Sequence, residues 1–268
     1  MNAVDWTRPP GTEPAGAPPD AAPAGTDLDR SPYARGDAAL ALLRHVAARH
    51  APAVLASSFG AEDMVLTDLI ARHQLPIGVF TLDTGRLPEE THALIERTRE
   101  HYGIAVAVHV PDARELERFV GEHGSNPFYR SVELRQRCCA IRKTAPLARA
   151  LAGQGAWITG LRRGQSVTRA DVEVESFDPQ HGLPKFNPLA DWSEDDVWRY
   201  LRRFAVPVNA LHARGYPSIG CAPCTRAVGP GEDVRAGRWW WEAPEHKECG
   251  LHRRPAARPL PTLLEVSP

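Results

Sequence analysis

The sequence predicts an α/β fold, a doubly wound and mostly parallel sheet. Three observations carry this. Short apolar runs alternate with longer helical ones between residues 53 and 160. The run "IAVAVHV" is nearly all apolar, as a strand covered on both faces requires. The strand-like runs "AVLA" and "IGVFTL" open into turns of small and polar residues. Ligands of such a sheet gather outside the C-terminal ends of its strands.

The elements follow in order. "APAVLASSFGAED" holds a strand from Ala53 to Ala56, a small-residue turn, and then a helix from about Ala61 to His73. "LPIGVFTLDTG" is a second strand ending in a turn. "LPEETHALIERTREHY" is a helix with Pro88 near its first turn, where Glu89 and Glu90 suit the helix dipole. A third strand, "IAVAVHV", precedes the helix "DARELERFVGEHG". "TAPLARALAG" is a further helix ending at Gly153, and "AWITG" a fourth strand. After Gly160 the pattern turns loop-like. It resumes with Ser193 as a helix cap, Asp196 three residues on as its capping-box partner, and Val197, Trp198 and Leu201 on one face.

Composition bounds the rest. Of 268 residues, 43% are hydrophobic and 24% charged, which suits a globular protein. The net charge of −1 gives no global case for nucleic acid or membrane binding. No apolar run is long enough to span a bilayer, and the N-terminus lacks the apolar core of an export signal. Residues 1–36, rich in Pro, Ala and Gly, are expected to be a disordered extension. Residues 37–228 would form the nucleotide-binding domain, and 229–268 a flexible tail. Five cysteines without an export signal point to a reducing cytoplasm, where cysteine pairs more often serve metal, cluster or redox chemistry than structural disulfides.

Four of these cysteines form two groups, the adjacent Cys138 and Cys139 in "RQRCCAIRK" and the C-x-x-C pair Cys221 and Cys224 in "GCAPC". Four thiolates suit a tetrahedral zinc or an iron–sulfur cluster, although adjacent ligands are unusual for zinc. A redox pair or four inert buried thiols are the alternatives. Cys249, in "HKECGLH", stands apart with Lys247 and His252 near it and is a candidate nucleophile; a spare thiol is the plainer alternative.

The strand ends carry phosphate-friendly groups. Ser57, Ser58 and Gly60 lie in "SSFGAED", where small residues let backbone N–H groups approach an anion at a helix start. Asp83, Thr84 and Gly85 lie in "LDTG", and Arg162 and Arg163 in "TGLRRGQS". Lys143 belongs to the basic group around the adjacent cysteines, Arg235 and Arg238 to another. Any one basic group would serve as a solvated helix face. Three strand ends converging make a nucleotide site.

Taken in order, "SSFGAED", "LDTG", "CCAIRK", "ITGLRRGQS", "GCAPC", "RAGRWWW" and "ECGLH" resemble the phosphoadenylyl-/adenylyl-sulfate reductase family, within the wider PP-loop adenine nucleotide hydrolase-like group. The resemblance runs from about residue 37 to 252. Both cysteine pairs point to the iron–sulfur branch acting on adenylyl sulfate (APS). The resemblance implies that Cys138, Cys139, Cys221 and Cys224 ligate one 4Fe-4S cluster of structural and electrostatic role. It places Lys143 between cluster and substrate, and makes Lys143, Arg162, Arg235, Arg238 and His252 candidates for stabilising the leaving phosphate. It implies that the Cys249 thiolate attacks the substrate sulfur, that AMP leaves, and that thioredoxin then releases sulfite. The sequence holds no thioredoxin-like segment, so an external reductant is expected. Phe59 stands where PP-loop ATPases carry the first Gly of S-G-G-x-D-S, which argues against ATP cleavage. The N-terminal extension and the segment after His252 fall outside the family pattern. Alternatives are a reductase of the 3′-phosphorylated substrate (PAPS), a tRNA sulfur-transfer enzyme, which would need a basic RNA surface, and a zinc-bound interaction module. The sequence leaves the oligomeric state open, a homo-oligomer included.

Overall fold

A computed structural model describes residues 31–166 and 169–243. Its centre is a six-stranded sheet in the order β3-β2-β1-β4-β6-β5. The strands are β1 (Ala53–Ala56), β2 (Ile77–Leu82), β3 (Val106–His109), β4 (Ala156–Ile158), β5 (Glu175–Asp178) and β6 (Leu183–Phe186). All neighbours run parallel except β5, which pairs antiparallel with β6 at the edge.

The two-residue period of a strand divides the apolar runs between two cores. Leu55, Val79 and Ile158 face one side, with α1 (Ser31–Arg49), α2 (Ala61–Arg72) and α7 (Glu194–Arg203). Phe80 and Trp157 face the other, against Leu147 and Leu151 of α6 (Ala145–Leu151). Unbroken apolar strands are what this two-sided burial demands, so the mostly parallel, doubly wound sheet is as the sequence predicts. Helix α3 (Glu89–Tyr102) starts after Pro88 and ends at Gly103 in the left-handed region (φ 63°). Helix α4 (Ala113–His123) is capped by Asp112, and α7 by the Ser193–Asp196 capping box.

Three features were not legible. Helix α1 begins at Ser31, ahead of the boundary expected at residue 37, and buries Leu40, Leu43 and Val46. Its Ala- and Arg-rich composition gave no clear apolar stripe. Helix α5 (Val132–Cys139), capped by Ser131, carries both adjacent cysteines. The β5–β6 hairpin lies in what read as loop, because its four-residue strands are only partly buried. Of the tail expected over residues 229–268, only 229–243 are among the described residues. Residues 229–243 lie against the body, with Trp239 buried, a bridge between Thr225 and Arg238, and Glu242 paired with Arg135. Among the described residues no helix is long and apolar enough to cross a membrane.

Candidate active site

The strand ends of β1, β2 and β4 open onto a cavity of ≈240 Å³. The turn after β1 is shaped around Asp63. Ser58 donates to its Oδ2 from the backbone N–H (2.6 Å) and from Oγ (2.7 Å), and the Phe59 N–H donates to Ser57 Oγ. This winding puts Phe59, fully buried, in the left-handed region at φ 59°. A bulky side chain there costs about 1–3 kcal/mol and survives only where its surroundings hold it. Burial pushes the Asp63 carboxyl up to about 6, against the Ser58 hydrogen bonds that lower it. Gly160, after β4, lies against this carboxylate; a Cβ there would run into it and come within 2.9 Å of the Glu62 Cβ.

Arg162 is buried and committed. Its Nε and Nη2 lie 2.8 Å from Glu62 Oε1, and Nη1 donates to the Trp192 carbonyl. It therefore ties the β4 end to the start of α2, and Glu62 offsets its charge. Thr159, Gln165, Arg169 and His212 complete the polar wall. Burial lowers the His212 pKa, which keeps the imidazole neutral near pH 7.

The four cysteines, scattered over 87 residues of sequence, line one cavity of ≈20 Å³. Cys138 and Cys139 end α5, after which the helix widens into a π-turn, Ala140–Thr144. Such turns are frequent at functional sites because the extra residue redirects side chains. Here it carries Arg142 and Lys143. Arg142 is buried and donates to the Thr84 carbonyl at 2.5 Å, and Thr84 Oγ1 lies 3.2 Å from Cys221 Sγ. The Ala222 N–H donates to Arg86 O, so the C-x-x-C turn is pinned to the end of β2.

Burial pushes the Cys224 thiol up to about 12 and raises Cys138 as well. Cys221 is also buried, yet the Lys143 charge, the Thr84 hydrogen bond and the Arg238 and Arg142 charges outweigh that and lower its pKa. Arg142 Nε, Arg238 Nε and Trp239 Nε1 are buried without a hydrogen-bond partner among the described residues, and all three residues line the cysteine cavity. Buried donors without acceptors are costly, so an acceptor-rich, negatively charged occupant fits here. Among the described residues no group of three His, Cys, Asp or Glu side chains is set to hold a single metal ion, and the four cysteines line one cavity.

The segment 235–243 closes this cavity. Trp239, at φ 41°, lies between two guanidinium groups, Arg135 at 4.9 Å and Arg238 at 4.7 Å from its ring centroid. Arg135 makes a bidentate pair with Glu242 (2.9 and 2.7 Å), with both side chains almost wholly buried. Lys143, Arg238 and Trp239 line both cavities, so the two spaces share one wall.

The structure thus gathers Ser57, Ser58, Gly60, Thr84, Lys143, Arg162, Arg235 and Arg238 around the larger cavity. Arg163 is not among them: it pairs with Asp191 at the surface. Nor do Asp83 and Gly85 line it; the Asp83 carboxylate accepts from Gly85 N–H and sits 3.2 Å from His92 Nε2, shaping the turn that presents Thr84. Cys249 and His252 lie outside the described residues. Sequence reasoning missed Asp63, Arg142 and the Arg135–Glu242 pair. Asp63 stood in a motif already singled out, whereas the pair spans 107 residues and leaves no local signal.

The model of the phosphoadenosine phosphosulfate reductase domain matches residues 52–227. A protein of Burkholderia cepacia named adenosine 5'-phosphosulfate reductase is 59% identical over 212 residues, 79% of this chain and 85% of that one. One of the same name from Allochromatium vinosum is 57% identical over 228 residues, 85% and 89% of the two chains. The crystal structure of phosphoadenylyl-sulfate (PAPS) reductase from Candida auris superposes with a TM-score of 0.62 at 24% identity, covering 78% of this chain and all of that one. Candida glabrata FMN adenylyltransferase in complex with FAD and inorganic pyrophosphate gives 0.54 at 13%, covering 84% and 80%. At such identities these structures speak for the fold alone. The strand-end cavity, the ordered motifs and the extent of these matches lead to one conclusion: the chain belongs to the phosphoadenosine phosphosulfate reductase domain family.

Proposed function

We propose that this protein reduces APS to sulfite and AMP, as the name of its relatives describes for them, with thioredoxin as reductant. One observation carries the reading: the strand-end cavity and the cysteine cavity share Lys143, Arg238 and Trp239 as a common wall. A nucleotide held at the turns after β1, β2 and β4 would direct its sulfate-bearing end toward that wall.

The chain's own groups then have distinct tasks. Backbone N–H groups at the start of α2 and the small residues Ser57, Ser58 and Gly60 receive the AMP part. The Cys249 thiolate attacks the substrate sulfur, the S–O bond to AMP breaks, and AMP leaves with the electron pair, giving S-sulfocysteine on Cys249. Lys143, Arg235 and Arg238, with His252, stabilise the charge that grows on the departing phosphate. Arg162 serves this only through Glu62, as a positioning residue. A thioredoxin thiolate attacks Cys249 Sγ and sulfite departs. Cys138, Cys139, Cys221 and Cys224 would hold a 4Fe-4S cluster. When bound, it would supply buried negative charge for Arg142, Lys143, Arg238 and the Trp239 N–H to offset. This chemistry suits a reducing cytoplasm.

The test is sulfite release under anaerobic steady state. Cys249→Ser should abolish it while iron and sulfide content stay at the wild-type level. Sulfite at a near wild-type rate overturns the proposal. Running PAPS in parallel names the substrate, since the proposal predicts the larger kcat/KM for APS.

A further inference from the structure

The proposed reaction demands that a second protein bring a thiol to Cys249, and the inference here rests on that reading. Six large apolar side chains are exposed among the described residues. Two of them, Tyr129 and Trp240, stand together, 44% and 39% exposed. Their ring centroids are 6.3 Å apart, and each packs on Trp241, at 4.5 Å and 4.7 Å. Trp241 in turn lies over the buried Phe128 at 6.1 Å. The patch is therefore a rigid aromatic surface with a core beneath it. Rings of this kind dominate protein–protein contacts because they offer large area at little conformational cost.

Its place matters more than its composition. Tyr129 Oη donates to the Pro223 carbonyl at 2.7 Å, so the patch sits on the C-x-x-C turn, whose Pro223 lines the cysteine cavity. Trp240 is three residues before Ala243, the last described residue, and Cys249 is six residues beyond it. Six residues reach at most about 22 Å even when fully extended. Any protein that meets the Cys249 sulfur must come within that radius of Ala243, and this exposed aromatic patch begins inside it.

We propose that Tyr129, Trp240 and Trp241 form the docking surface for a dithiol reductant protein whose reactive thiol is ringed by an apolar rim. The docked thiolate attacks Cys249 Sγ. A disulfide forms between the two proteins, the S–SO3 bond breaks, and sulfite leaves with the electron pair. The partner's second thiol then displaces Cys249 as thiolate, so both electrons come from the partner's dithiol.

Trp240→Ala and Trp240→Phe test this; Tyr129, which holds the cysteine turn, is left in place. Two steps are timed in the full-length, iron-loaded protein: formation of the Cys249 adduct from APS, and its discharge by reduced thioredoxin or by dithiothreitol. Trp240→Ala should raise the KM for thioredoxin at least tenfold, with adduct formation and discharge by dithiothreitol at wild-type rates. Trp240→Phe should recover most of the loss. A wild-type thioredoxin KM in Trp240→Ala overturns the proposal. Slowed adduct formation also overturns it, because the patch then seats the chain's own residues 244–268. Dissociation of an oligomer with an unchanged KM assigns the patch to a second copy and overturns it too. Absence of any adduct on the wild type removes the proposed function itself, and this surface with it.

Discussion

The two halves of the site are built by different means. The nucleotide half hangs on the backbone of three parallel strands, and its turns follow directly from where those strands end. None of the described residues that line the cysteine cavity belongs to a strand of the sheet. The cysteine half is assembled from α5, the π-turn, the C-x-x-C turn and residues 235–243. Long-range fastenings join its pieces, among them Thr84 to Cys221, Arg142 to Thr84 and Arg135 to Glu242. Each half keeps one buried aromatic in the left-handed region, Phe59 in the first and Trp239 in the second. Both halves are therefore over-determined at one point. In the first, a hydrogen-bonded turn supplies the constraint; in the second, a buried ion pair and two stacked guanidinium groups do. A half held by a sheet should tolerate loss of one side chain better than a half held by a clasp.

The clasp gives the largest expected effect. Glu242→Gln takes from the buried Arg135 guanidinium its carboxylate partner, and breaking such a pair costs about 3–5 kcal/mol. Urea denaturation should show that loss, together with a fall in iron bound per chain, while AMP affinity changes little. Wild-type stability would show that residues 235–243 are held by something other than the Arg135–Glu242 pair. Gly160→Ala strikes the other half. The new Cβ overlaps Asp63, and overpacking of this kind costs about 1–3 kcal/mol. AMP titration should give at least a tenfold weaker Kd, with iron content unchanged. Loss of iron would mean that the halves do not separate.

Asp63 sharpens the comparison through pH. Its carboxyl titrates at about 6 in the fold against 3.8 in the reference state. The folded state thus holds this proton more tightly than the unfolded chain. The resulting stability is complete below about pH 4 and is lost as pH rises through about 6. Melting curves should show the wild type losing stability relative to Asp63→Asn across that window. A pH-independent difference contradicts the burial assigned to the carboxylate. The smallest effect is a control. Ser193→Ala removes the cap of α7, which lines no part of the cysteine cavity, and should cost about 1 kcal/mol without altering iron content.

How much was legible in the sequence follows the same division. Strands β1 to β4 and the Ser193 cap could be read because their signals are local, a mostly apolar run of three to six residues or a cap three positions from its partner. The cysteines were visible as residues, but their arrangement was not: nothing near Arg135 announces Glu242, and a π-turn has no period of its own. Arg163 was misplaced for a related reason. Two adjacent arginines read alike in sequence, while a strand end turns one toward Glu62 and the other toward Asp191. The aromatic triplet "RWWW" resolved in the same way, with Trp239 buried and Trp240 exposed.

The central claim is that the Cys249 thiolate attacks a nucleotide substrate held against the basic wall. Its most direct test is intact mass under denaturing conditions after anaerobic incubation with APS and no reductant, for wild type and Arg238→Ala. The account predicts one added SO3, mapped to Cys249 and discharged by reduced thioredoxin, with its formation slowed at least a hundredfold in the variant. Iron-replete protein that binds AMP yet gains no mass, or an adduct on any other cysteine, would contradict it.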